Sequence, residues 1–186
     1  MIPLSKRMKH SSILLRTKGL TILVLVAAAL LSCGKKEEAA APSPAATPAP
    51  PPLQPGISQS LTRSKTEAFY NFDSLGPVSY PAAQKTITLP GDSEISVSGW
   101  ALDASKKGPA GAVDVVLDGN PYSANYGTDR TDVAAHFNRP DYTKSGFQLL
   151  LARGQFTKGA HAVSIRVIAS DKKSYSEGPI VQFTVN

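Results

Sequence analysis

Six residues in the second half of the chain have side chains suited to holding a ligand: Tyr122, Tyr126, Arg130, Asp132, Phe137 and Tyr142. Flat aromatic faces beside amide and carboxylate groups are what a carbohydrate site needs, since a sugar offers both apolar C–H faces and hydroxyls. The same aromatics could instead cover one end of a folded body. Arg130 could clamp a ligand carboxylate or phosphate with two parallel hydrogen bonds, or tie a long loop to backbone carbonyls. Trp100 is the only tryptophan. It is expected in the interior between two sheets rather than as a sugar-stacking surface, although it lies out of phase with Ile95 and Val97 unless Gly99 marks a bulge.

Catalytic chemistry has few candidates. After residue 33 the only histidines are His136 and His161, and no G-x-S-x-G, H-E-x-x-H or C-x-x-C pattern occurs. Ser170-Asp-Lys-Lys173 has S-x-x-K spacing, but it falls on a loop between strands without partner motifs. His161 follows Gly159-Ala160 at a strand start, where its ring is expected to bond to backbone rather than to move protons. Asp103, Asp114 and Asp118 raise the question of calcium. Asp114 and Asp118 share a strand face but sit about 13 Å apart along it, too far to hold one ion. No metal, cofactor or catalytic residue is therefore expected. A pair of acids brought together across a sheet could still hydrolyse a glycosidic bond, and nothing in their spacing points to it.

The elements that position these residues read as strands. Phe69, Tyr70 and Phe72 lead into the Gly76-Pro77 breaker. Ile87 and Leu89 alternate with threonines and stop at Pro90-Gly91. Ile95, Val97 and Gly99 alternate with serines. Val113, Val115 and Leu117 precede Asp118-Gly119-Asn120, a hairpin signal, with Tyr122, Ala124 and Tyr126 on one return strand. Phe147–Leu151, Val163–Ile168 and Val181–Val185 complete the set. Seven or eight short strands separated by Gly, Pro, Asp and Asn predict an all-β sandwich. Only Asp132–Phe137 predicts a helical turn, with Thr131 as its cap and Asp132 suiting its positive end.

The N-terminal part differs in character. Lys6, Arg7, Lys9, Arg16 and Lys18 precede an apolar run, Leu20–Leu31. Its 12 residues would span about 18 Å as a helix, short of a hydrocarbon core of roughly 30 Å. Basic flank, short apolar stretch and small residues form the layout of a secretory signal. The net charge of +6 resides there: from Cys33 onward 15 basic residues face 14 acidic ones, so no basic face that would argue for nucleic acid is expected. Seven prolines lie between Pro42 and Pro55, a run too poor in apolar bulk to pack. As polyproline II these 14 residues reach roughly 40 Å, and a disordered Pro/Ala-rich tether is expected. The domains are thus expected at 1–32 (signal), 33–60 (linker) and 61–186 (sandwich).

Leu30-Leu31-Ser32-Cys33 resembles the lipobox of bacterial lipoproteins. The resemblance implies cleavage before Cys33, a diacylglyceryl thioether on its sulfur and acylation of the new amino group, which would anchor the chain to a membrane. Cys33 is the only cysteine, so no disulfide is expected. Gly34, in place of aspartate, implies the outer membrane by resemblance to Gram-negative sorting rules. Ser98-Gly-Trp-Ala-Leu-Asp103, Val115-Val-Leu-Asp-Gly119, Tyr126–Phe137, Ser145-Gly-Phe147 and Gly159-Ala-His161 together resemble an immunoglobulin-like module of cell-envelope proteins. Thr131 stands where that pattern commonly has proline. This implies a β-sandwich without catalysis of its own; a fold does not give a function. The chain is expected to be a lipid-anchored binding or scaffolding protein of the envelope, contacting a glycan or an envelope protein. The alternatives are an enzyme on envelope polysaccharide and a structural spacer.

Overall fold

Alternating β-branched and polar residues can bury one face only by pairing into sheets and stacking them. The computed structural model, which describes residues 51–186, shows that outcome. Thirteen strands occur among the described residues: β1 (Thr62–Arg63), β2 (Phe69–Leu75), β3 (Val78–Ser79), β4 (Thr88–Leu89), β5 (Ile95–Asp103), β6 (Gly108–Pro109), β7 (Ala112–Leu117), β8 (Asn120–Ser123), β9 (Asn125–Thr128), β10 (Gly146–Leu151), β11 (Gly159–Ile168), β12 (Ser174–Glu177) and β13 (Val181–Val185). Helix α1 (Thr131–Phe137) lies between β9 and β10. The signal segment, Cys33 and the tether up to residue 50 lie outside the described residues.

In the first sheet β11 is central. It pairs with β7 on one edge, and on the other with β13 over its first half and β12 over its second. Beyond β7 lies β8, while β4 and β1 run parallel to β13 and β12. The second sheet runs β3-β2-β5-β10-β9, with β6 folded back on the end of β5. Between the sheets lies a core that includes Phe72, Val97, Val115, Phe147, Ile165 and Phe183; each such side chain contributes about 1.5–3 kcal/mol on burial. A smaller cluster of Leu102, Val133 and Tyr142 forms where α1 covers the outer face of the second sheet. Both clusters are built wholly from residues 53–185, enough chain to fold alone.

The all-β sandwich with one short helix is as the alternation predicts, and the details differ in four places. Nine strands have four or more residues, not seven or eight. The single return strand expected at Tyr122–Tyr126 is two: the chain leaves the first sheet after Ser123 and joins the second at Asn125. The helix starts at Thr131, but Arg130 is the cap residue and no side chain caps it. Finally, residues 53–60, assigned to the linker by their prolines, are structured. Leu53 packs on the core, the Gly56 amide donates to Pro121 O at 2.8 Å, and the Ser58 amide donates to the buried Asp114 carboxylate at 2.7 Å.

The turns follow their chemistry. Asp118 and Gly119 both take positive φ, 47° and 85°, in the two-residue turn joining β7 to β8. Gly99 is required for a different reason: a Cβ there would strike Asn71 O on the paired strand and the Phe147 ring.

Candidate binding surface

The six candidate residues do not form one surface. Tyr122 and Tyr126 pack against the core between the sheets. The Tyr126 hydroxyl donates to Ala101 O at 2.8 Å and accepts from the Ala110 amide at 2.9 Å. Burial pushes its pKa up to about 12, against a smaller opposing effect of the Ala110 bond. Tyr126 is thus a clasp between β9, β5 and the start of the β7 segment. Its ring is half-buried against the core.

Phe137 and Tyr142 lie on the outer face of the second sheet. Trp100 lies there too. It is not the core tryptophan expected between the sheets, because β5 carries no bulge at Gly99 and the alternation holds, placing Trp100 in phase with Ser96 and Ser98. The bulge is on β2 instead, where Asp73 is the extra residue. Phe69, Trp100 and Phe137 meet edge to face, with centroids 5.4–5.7 Å apart. Phe137 meets Tyr142 at 5.8 Å, and Arg139 lies over the Tyr142 ring at 4.5 Å. Tyr142 is only 5% exposed and its hydroxyl donates to Lys107 O, so it supports the cluster from beneath. Phe69, which carried no functional signal in the sequence, is 38% exposed and offers the most open ring of the group.

Arg130 and Asp132 stand beside this cluster. Arg130 binds Asp132 in a fork, Nε to Oδ1 at 2.9 Å and Nη2 to Oδ2 at 2.7 Å, and its Nη1 donates to Asp73 at 2.6 Å. Asn71 donates to the other Asp73 oxygen. The hydrogen bond from Arg130 holds the Asp132 carboxyl down at about 2. Arg130 therefore ties helix α1 to the bulged strand through two carboxylates, where a loop carbonyl was the sequence expectation.

The remaining chemistry-bearing groups hold the fold. His161 Nδ1 lies 2.7 Å from Asp118 Oδ2 and Nε2 lies 2.8 Å from Thr157 O. Both partners only accept, so the charged ring satisfies both. Burial lowers its pKa, but the bonds to Asp118 and Thr157 outweigh that and raise it. Asp103, 4% exposed, accepts at Oδ1 from the Ser105 amide and hydroxyl and the Lys106 amide, and at Oδ2 from the Ser170 amide. Burial alone would raise its carboxyl; the bonds from Ser105, Ser170 and Lys106 outweigh it and bring it down to about 2. That contact also fixes the Ser170–Lys173 loop. Asp114 is fully buried beneath residues 56–58. Among the described residues no group of three His, Cys, Asp or Glu is placed to hold a metal ion.

Of the groups considered, the aromatic cluster of Phe69, Trp100 and Phe137, bordered by the Arg130–Asp132–Asp73 triad, is partly exposed. It can offer ring faces and edges to the C–H face of a sugar and carboxylate oxygens to its hydroxyls. The chain matches no family model and no curated protein.

Proposed function

We propose that this chain is a lipid-anchored protein of the cell envelope, held through Cys33 in the outer membrane, whose sandwich is a non-catalytic binding module that contacts glycan. The observation that carries the non-catalytic part is the use made of His161, Asp103, Asp114, Tyr126 and Arg130: each holds segments of the fold together. Groups spent in this way are not poised to exchange protons with a substrate. The exposed Phe69 ring beside Trp100 and Phe137 supports a glycan-contacting face.

A glycan-array screen of residues 51–186 tests the proposal. Saturable binding that falls at least tenfold in Phe69→Ala, with the melting temperature retained, is expected. Turnover of an envelope polysaccharide by the purified body would overturn it, as would binding that Phe69→Ala leaves unchanged. Absence of glycan binding together with crosslinks to one envelope protein would replace the glycan by a protein partner.

A further inference from the structure

The described body carries thirteen lysines and arginines against twelve carboxylates, but its charges are unevenly placed. Arg63, Arg130, Arg139, Lys144 and Arg166 each hold a carboxylate. Five exposed lysines, Lys65, Lys106, Lys107, Lys172 and Lys173, form no ion pair among the described residues, and the fold brings all five to one end of the sandwich.

Asp103 is the hub of that end. Its carboxylate accepts from the Lys106 amide at 3.1 Å on the β5–β6 turn and from the Ser170 amide at 2.7 Å on the β11–β12 turn. The two lysine-bearing turns are thereby tied to each other. Lys65 joins them from between Ser64 and Thr66, which line a small cleft with Asp103, Ser105 and Ala169. Gly111 permits the close approach: a Cβ there would meet Ala169 O, and Lys172 Cγ at 3.1 Å. The exposed acids at this end are Glu67, Asp141 and Asp171; Asp141 is paired with Arg139, whose Nη2 also reaches Lys107 O, and the Asp171 side chain accepts from the Lys173 amide at 3.0 Å.

Backbone conformation adds an independent observation. Lys107 and Lys172 both take the left-handed conformation, φ 51° and 55°, which suits glycine or asparagine far better than lysine. Lys107 O accepts from Arg139 Nη2 at 2.9 Å and from the Tyr142 hydroxyl at 3.0 Å, which locks that turn. Long cationic side chains thus occupy two turn positions where the backbone favours glycine, a pattern found where a turn carries function.

We propose that this lysine-bearing end docks on an anionic bilayer surface, laying the tethered body against its membrane. The complementary charge is that of acidic headgroups, each adjacent lysine adding roughly a fivefold gain in partition. The proposal rests on the lipid-anchored tether for its setting. The test uses a body that lacks Cys33, so vesicle affinity and lipidation succeed or fail separately.

The test is co-sedimentation of residues 51–186 with vesicles of phosphatidylglycerol and phosphatidylcholine, or of phosphatidylcholine alone. Binding to the acidic vesicles only, weakened by added salt, is expected. Lys65→Gln, Lys106→Gln and Lys173→Gln should each lower it roughly fivefold, while the matching Lys→Arg variants retain it and Lys85→Gln and Lys158→Gln leave it unchanged. Lys107→Gly and Lys172→Gly should weaken binding yet raise the melting temperature. Equal binding to neutral vesicles, no binding at low salt, indifference to the Gln variants, or retention by soluble polyphosphate without vesicle binding would each overturn it.

Discussion

Replacing Asp103 by asparagine keeps shape and removes charge, so it isolates what the buried carboxylate does. Four donors converge on it: the Ser105 amide at 2.9 Å, the Ser105 hydroxyl at 2.6 Å, the Lys106 amide at 3.1 Å and the Ser170 amide at 2.7 Å. The carboxyl is lowered from 3.8 to about 2. At 1.36 kcal/mol per pKa unit, the charge-linked part of its stabilisation is about 2 kcal/mol. A depressed carboxylate stabilises fully above its unfolded value and stops doing so as pH falls through the folded one. Asparagine must in addition point an N–H₂ group at either Ser170 or the Ser105–Lys106 amides. Asp103→Asn is therefore expected to lose about 2–3 kcal/mol at pH 7. The difference from the parent should shrink between about pH 4 and pH 2, as the parent protonates. Urea unfolding of both proteins across that range measures it. Asp132 and Asp141, also depressed, are unchanged between the two proteins and cancel. A constant difference across the range, or a loss under 0.5 kcal/mol at pH 7, would refute the assignment.

Tyr126→Phe removes the clasp and leaves the Ala101 carbonyl and Ala110 amide without their partner in a buried setting; a loss of about 2–4 kcal/mol in urea unfolding is expected. His161 should titrate above its ordinary 6.5 with both ring nitrogens protonated below that point, as read by NMR. The stability it supplies is fully present below pH 6.5 and is lost as pH rises through the folded value, so His161→Ala should flatten stability across that alkaline step. Gly56→Ala places a Cβ 2.5 Å from Asp114 Oδ2 and 2.8 Å from Pro121 Cβ. It should lift residues 53–58 from the sheet, seen as faster proteolytic cleavage there with the two cores intact.

Strands were legible where apolar and polar residues alternate, or where a short β-branched run ends in a turn signal. β5, β11 and β13 alternate apolar and polar residues over much of their length, while β7 and β10 are short apolar runs interrupted once, by Asp114 and Gln148. β12 was not legible: Ser-Tyr-Ser-Glu is half-buried at every position, so no alternation marks it. The sheet switch after Ser123 left no trace either, because Tyr122, Ala124 and Tyr126 keep one apolar phase on both sides of the break and all face the same core. Prolines concealed the structured run from Leu53, where backbone bonds to Pro121 and Ser123 replace side-chain bulk. At the candidate surface, the unbroken phase of β5 puts Trp100 on the outer face, against the interior position usual for the tryptophan of a sandwich. Phe69 carries no signal along the chain, because an aromatic at a strand start suits core and surface alike. The ion triad depends on Asp73 standing in a bulge, and bulges carry no sequence period. The gathering of five lysines is equally invisible along the chain, since residues 106–107 and 172–173 are joined through Asp103, and residue 65 reaches them through the pairing of β1 with β12.

The tethered-module account depends most directly on what happens at Cys33. Mass analysis of the N-terminal peptide of protein taken from cell membranes measures it. The account predicts a peptide that begins at Cys33, with a thioether-linked diacylglyceryl group and an acylated amine. A peptide that begins at Met1, with Cys33 further along as a free thiol, would contradict it.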